Sequence, residues 1–303
     1  MPHVTVGVDG SAESAAAVEW AAGEAVLRKA ALRLVLVADS PEPPRGGTDQ
    51  GDSVDGVLTG TAHALRAGHP GLEVRADRLL GRPPAVLARE AAEAELVVLG
   101  SRGLGSIRGF LLGSVAMATI VETDRPVVLV RPERGPRPER EAQREPLVAD
   151  RPRSGRRRET ADEIGPVVVG VDVREACEPV LDFAFGEADL RGCRLAAVHS
   201  WSLPPFERDA PALEMALREM RPDVVAELGK VLAPWRQRNP SVDVDELTPV
   251  GGASEQLVHA AEGAALVVVG RRVRTSRVGA HIGPVTHAVI HHCDSPVAVV
   301  AHD

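Results

Sequence analysis

One pattern occurs twice in this chain at a fixed spacing. Gly100-Ser101-Arg102-Gly103, followed after nine residues by Gly113-Ser114, returns 170 positions later as Gly270-Arg271-Arg272-Val273 and Gly283-Pro284. The same spacing relates Gly81 to Gly251, and Asp124-Arg125-Pro126-Val127 to Asp294-Ser295-Pro296-Val297. A chain written this way is constrained to fold as two similar domains, and its 303 residues suffice for each to bury its own core. The copies differ where the first carries glycine and serine, so the repeat predicts one fold with two different sites.

Within the first copy, short β-rich runs alternate with longer helical patterns. Strands are predicted over Val4–Val8, Leu32–Val37, Leu72–Leu80, Leu96–Leu99 and Val127–Val130, and helices over Ser11–Ala31, Val54–Ala67, Ala85–Glu93 and Ser114–Glu122. A Pro/Gly/Asp-rich loop is expected from Pro41 to Gly51. Runs such as Leu96-Val97-Val98-Leu99 are apolar without alternation, which suits a parallel sheet covered on both faces. Strand, helix, strand succession with right-handed crossovers predicts doubly wound α/β domains.

The second copy opens at Pro166-Val167-Val168-Val169-Gly170-Val171-Asp172 and repeats the order through Val297-Ala298-Val299-Val300. Asp9 to Gly81 spans 72 positions and Asp172 to Gly251 spans 79, so seven extra residues lie between; Trp201 and Trp235 fall there and are read as core aromatics. Domains are placed at 1–133 and 165–303. Between them, 134–164 is rich in Arg, Glu and Pro with almost nothing apolar, and such a segment reads as a flexible linker.

Composition narrows the class. A formal net charge of -8 argues against general binding to nucleic-acid phosphates, and no apolar run nears the roughly 20 residues that cross a bilayer. Cys177, Cys193 and Cys293 form no CxxC pair, an odd count that suits a reducing cytoplasm and small core residues. The N-terminus reads as a strand, Val4-Thr5-Val6-Gly7-Val8, with no export signal in front of it, and the protein is expected to be cytoplasmic.

The candidate site follows from the α/β pattern. In open sheets of this kind, ligands sit beyond the carboxyl ends of the strands, where chain order reverses. Asp9 ends the first strand and Gly100 the fourth. Gly100 and Gly103 let the backbone turn and approach a ligand without a Cβ in the way. Gly113-Ser114 stands before the apolar helix Val115-Ala116-Met117-Ala118-Thr119-Ile120-Val121, whose free N–H groups and positive dipole end attract phosphate. Ser114 adds a hydroxyl, and Asp9 can accept from ribose hydroxyls or a base edge. Each residue also has a plainer reading: Ser114 as a helix N-cap, Asp9 as a turn residue before Ser11, the glycines as a pliant loop.

Taken together, Val6-Gly7-Val8-Asp9-Gly10-Ser11, Gly100-Ser101-Arg102-Gly103 and Leu111-Leu112-Gly113-Ser114-Val115 resemble the ATP-binding form of the universal stress protein family, in its tandem two-domain arrangement, over nearly the whole chain. The resemblance implies a five-stranded parallel sheet of order 3-2-1-4-5 in each domain, with helices on both faces. It implies ATP, alone or with Mg, in the cleft between strands one and four. Val8, Asp9 and Val37 would then face adenine and ribose. Gly100, Ser101, Arg102 and Gly103 would line the ribose and phosphate path, and Gly113, Ser114, Val115 and Ala116 would hold the phosphates. It also implies pairing of the two domains through their fifth strands, Val127–Val130 with Val297–Val300. A homodimer of the whole chain is compatible with the sequence, and no protein partner is identified by it.

The second copy departs from the pattern. Val273 replaces the second glycine, Pro284 the serine, and Val173-Arg174 replaces Gly10-Ser11, so this half is expected to bind ATP weakly or not at all. Function is read as nucleotide-dependent regulation in a stress response, without dedicated catalysis. No P-loop or G-x-G-x-x-G spacing is present, and no carboxylates cluster beside the phosphate positions. Two alternatives stay open: an interaction module without nucleotide, and a slow ATP hydrolase. His287, His291, His292 and Cys293 crowd one short helix and its end, which suits either a zinc site or a helix C-terminus favouring histidine.

Overall fold

The computed structural model describes residues 2–38, 54–101, 113–132, 164–175, 177–202, 210–273 and 282–303. The expected loop over Pro41–Gly51, and the linker apart from Ile164, lie outside the described residues. The first half runs β1 His3–Gly7, α1 Ala12–Arg28, β2 Ala31–Ala38, α2 Val54–Gly68, β3 Val74–Leu80, α3 Pro83–Glu93, β4 Leu96–Gly100, α4 Ser114–Glu122 and β5 Val127–Val130. The second half repeats it: β6 Val167–Gly170, α5 Glu178–Arg191, β7 Leu195–Val198, α6 Ala210–Arg238, β8 Val244–Leu247, α7 Ala253–Ala260, β9 Leu266–Arg272, α8 Pro284–His292 and β10 Val297–His302.

Each half is a parallel sheet of order 3-2-1-4-5, and the two join through β5 and β10 into one ten-stranded sheet, β3-β2-β1-β4-β5-β10-β9-β6-β7-β8. The junction is antiparallel, with Val297 opposite Leu129, Ala298 opposite Val128 and Val299 opposite Val127. An edge strand of three buried valines and one buried leucine would otherwise leave its backbone groups unpaired. Because the junction is antiparallel, the carboxyl ends of the two sets of parallel strands lie on opposite edges of the sheet.

Both faces are covered, as the apolar strand runs require. α1, α2, α5 and α6 pack on one face through residues such as Ala21, Leu58, Phe185 and Leu228. On the other, α3, α4, α7 and α8 contribute Leu87, Ile120, Leu257 and Val289. Trp235 stacks on Phe185 with centroids 6.0 Å apart, and the Trp201 indole N–H donates to the Thr248 carbonyl at 3.1 Å; both tryptophans are buried, as expected. α6 runs 29 residues where its counterpart α2 runs 15, which is where the second half is enlarged.

α1 ends at Arg28, three residues short of the sequence-based expectation, because Lys29 turns left-handed (φ 53°, ψ 39°). The Lys29 N–H donates to Val26 and the Ala30 N–H to Ala25, which closes the helix. Gly192 plays the same part after α5, at φ 62°, with Gly192 and Cys193 donating to Asp189 and Ala188. Here the second copy carries the residue the geometry prefers and the first does not.

Across the junction α1 meets α5 through a cluster absent from the sequence reading. Glu24 and Glu187 are almost fully buried. Arg28 donates to Glu24 at 2.6 Å and to Glu95 at 3.1 Å, and also to Glu187. Arg191 donates to Glu24 at 2.5 Å and to Glu187, and its guanidinium lies over the Trp20 ring. Two carboxylates and two guanidiniums thus close a ring in which each arginine serves its own helix and the opposite one.

Candidate functional site

β1 and β4 are neighbours, pairing Val4 with Leu96, Thr5 with Val97 and Val6 with Val98, so their carboxyl ends share one crevice. At the end of β1, the Val8 N–H donates to Val35 and its side chain is buried. Asp9 turns the chain into α1: its Oδ1 accepts from the Ser11 N–H at 2.9 Å and the Ser11 hydroxyl at 2.5 Å. Ser11 in turn caps α1 by accepting from the Ser14 N–H at 3.1 Å. Gly10 takes φ +81° in this turn, a conformation that favours glycine. The plainer reading of Asp9 as a turn residue is therefore correct at one oxygen. Ser14, which the sequence reading did not single out, holds the Asp9 N–H through its hydroxyl at 3.4 Å.

Gly100 is fixed by a close approach. A Cβ there would lie 2.6 Å from the Glu13 carbonyl carbon and oxygen and 2.8 Å from the Ser14 nitrogen, so the start of α1 crosses directly over the end of β4. Ser101 is buried, and both its N–H (2.8 Å) and its hydroxyl (3.2 Å) donate to the Val130 carbonyl of β5. Its side chain is thus engaged within the sheet. Val37 is half-buried near the end of β2 and packs against the α3/α4 face. Arg102 and Gly103 lie outside the described residues.

α4 leads into the amino end of β5, so its N-terminus points to the carboxyl edge where Asp9 and Gly100 lie. Gly113 is the N-cap at φ -61°, ψ 142°, and no side chain caps the helix. Ser114 and Val115 are exposed and Ala116 is buried. The first intrahelical bond runs from the Met117 N–H to the Gly113 carbonyl, which leaves the N–H groups of Ser114, Val115 and Ala116 without an acceptor inside the helix. A recess of about 390 Å³, mainly apolar and lined by Val8, Gly10, Ser11, Val18, Val57 and Leu65 among others, opens between α1 and α2 beside the Asp9 turn.

The second half keeps the frame and changes the site. Asp172 makes the same turn, accepting from the Arg174 N–H at 3.0 Å, and Gly251 matches Gly81 with φ of +137° against +135°. β4 ends at Gly100, whereas β9 continues through Arg271 and Arg272, paired with Ala301 and His302 of β10. The His302 ring closes over Gly270, 2.8 Å from where a Cβ would stand. α8 opens with Pro284, which has no N–H to offer. Arg271, the counterpart of Ser101, is buried and donates to the Thr123 carbonyl of the first half at 2.8 Å. Burial lowers its pKa, with Asp124 partly offsetting that effect.

Among the described residues no three His, Cys, Asp or Glu side chains group as metal ligands. The His287 and His291 rings lie tilted at 39° with centroids 4.3 Å apart, and the carbonyls of Ile290 and His291 accept from Arg131 at 2.6 and 2.9 Å. Cys193 and Cys293 are buried core thiols, and burial pushes the Cys293 pKa up to about 12. No helix among the described residues is long and apolar enough to cross a membrane.

Known proteins share the sequence pattern and the fold of this chain. Universal stress protein Rv2005c of Mycobacterium tuberculosis is 30% identical over 307 residues, covering 98% of this chain and 96% of the relative. Universal stress protein Rv2623 of the same organism is 32% identical over 311 residues, covering 98% and 95%. The crystal structure of a universal stress protein from Archaeoglobus fulgidus shares the fold at 16% identity, with a TM-score of 0.62 over 99% of this chain and 98% of that one. The universal stress protein family model matches residues 1–131 and again 163–301, and this chain belongs to that family.

Proposed function

We propose that the first half binds one adenine nucleotide, ATP, and that the protein acts as a cytoplasmic nucleotide-dependent regulator in a stress response. The observation that carries this reading is the start of α4, where Gly113 places no capping side chain and three first-turn N–H groups lack an intrahelical acceptor. Those groups, the Ser114 hydroxyl and the helix dipole would receive phosphates. Asp9, Val8 and Val37 stand at the ends of β1 and β2 for ribose and base, and the recess beside Gly10 offers an apolar wall. Gly100, Ser101, Arg102 and Gly103 would carry the chain between them. Any Mg would come bound to the nucleotide.

The division into 1–133, a linker over 134–164 and 165–303 belongs to this reading. In the second half the continued β9, the His302 ring over Gly270 and Pro284 at the start of α8 all oppose the same ligand. That half serves instead as the in-chain pairing partner and as a surface for other proteins. No residue is assigned a catalytic role. Mass spectrometry of nucleotide released from freshly purified protein tests the proposal: ATP or another adenine nucleotide is expected, and a protein that carries none and takes up none refutes it.

A further inference from the structure

The antiparallel junction sets the carboxyl edge of the second half against the amino edge of the first. At that contact Arg271, at the position of Ser101 in the repeat, reaches across to the far end of the candidate phosphate helix. Its guanidinium donates at 2.8 Å to the carbonyl of Thr123, the C-cap of α4, and only 4% of its side chain is exposed. The acidic side chain beside it, Asp124 at 3.9 Å, is 89% exposed. A cation at a helix C-terminus satisfies an orphan carbonyl and matches the dipole. α4 has nine residues, so about 13 Å separates this bond from the amides at Ser114 and Val115.

We infer that Arg271 is a positioning residue for the nucleotide site of the other half: it fixes α4 at its C-terminus, and so sets where the phosphate-binding N-terminus stands. The inference rests on the proposed nucleotide site. A short helix held at one end by a buried bond moves as a body, so a displacement at Thr123 is carried to Ser114. A reciprocal contact, made from a different strand, supplies an internal control. Arg131, at the end of β5, donates to the Ile290 and His291 carbonyls at the end of α8, a helix that opens with Pro284. Both arginines bridge the halves, but only Arg271 holds the helix with the phosphate-binding start. The residue that replaced the motif serine in the second copy thereby supports the motif in the first.

The test uses the full chain as wild type, Arg271→Met, Arg271→Lys and Arg131→Met, with two readouts. In amide hydrogen exchange without ligand, the hydrogen-bonded α4 amides from Met117 to Glu122 should exchange faster in Arg271→Met and not in Arg131→Met. In titration, Arg271→Met should weaken ATP about fivefold, at the low end of site-to-site coupling, while adenosine, which has no phosphate for α4, is unaffected. Arg271→Lys keeps a cationic donor and should restore ATP binding to within about twofold of wild type, below that same coupling range. Equal behaviour of Arg271→Met and Arg131→Met in both readouts overturns the positioning role. A wild type that binds no ATP refutes the nucleotide reading itself, and the exchange pattern at α4 then decides the strut by itself.

Discussion

Replacing Glu187 by Gln removes one negative charge from the buried ring between α1 and α5 while keeping its shape. Glu187 accepts from both Arg28 and Arg191 and is itself almost fully buried. The Gln carbonyl can still accept from one arginine, but its amide group then faces the other, donor against donor. One charge-assisted bond is lost, worth about 1.5–3 kcal/mol, and the surviving one is weakened, so the expected cost is roughly 2–4 kcal/mol. The ring ties α1 to α5 across the sheet junction, so the loss should also loosen the coupling of the halves: urea unfolding of the variant should broaden or split into two steps.

Urea unfolding of both proteins at pH 7 measures this cost. A variant within about 0.5 kcal/mol of wild type at pH 7, as for a typical surface substitution, refutes the energetic role given to the ring.

Lys29→Gly should stabilise the protein by about 0.5–1 kcal/mol, since it relieves a left-handed lysine at an exposed cap and the gain outweighs the added freedom of the unfolded chain; denaturation midpoints check it. Gly100→Ala forces a Cβ into the Glu13 backbone, and a loss of about 1–3 kcal/mol is expected, together with altered chemical shifts at Asp9 and Ser14. Cys293 should resist thiol alkylation at pH 8 in the folded protein and react promptly in urea, because its pKa is pushed up to about 12 by burial; labelling with mass analysis reads this out.

Much of the architecture was legible because the strands are short, apolar and regularly punctuated. Leu96-Val97-Val98-Leu99 and Val127–Val130 fall where expected, and the strand order follows the family resemblance. The end of α1 was misplaced because Lys29 gives no sequence sign of a left-handed cap; the glycine that would have given it stands only in the second copy, at Gly192. The Asp9 turn and the uncapped start of α4 were visible as motifs, although the commitment of the Ser101 side chain to β5 depends on which strand lies beside it. The buried ring and the Arg271 bond were invisible for a related reason. Glu24-x3-Arg28 and Glu187-x3-Arg191 look like ordinary surface pairs at helical spacing until the β5–β10 junction brings them together.

The most direct measurement is the stoichiometry of ATP binding by calorimetric titration of wild type, Gly113→Val and Gly283→Val. Both glycines have backbone angles open to any residue, so neither change should disturb folding. One ATP per chain, lost in Gly113→Val and kept in Gly283→Val, is the expected result. Two ATP per chain, or binding that survives Gly113→Val and disappears in Gly283→Val, would contradict a single nucleotide site in the first half.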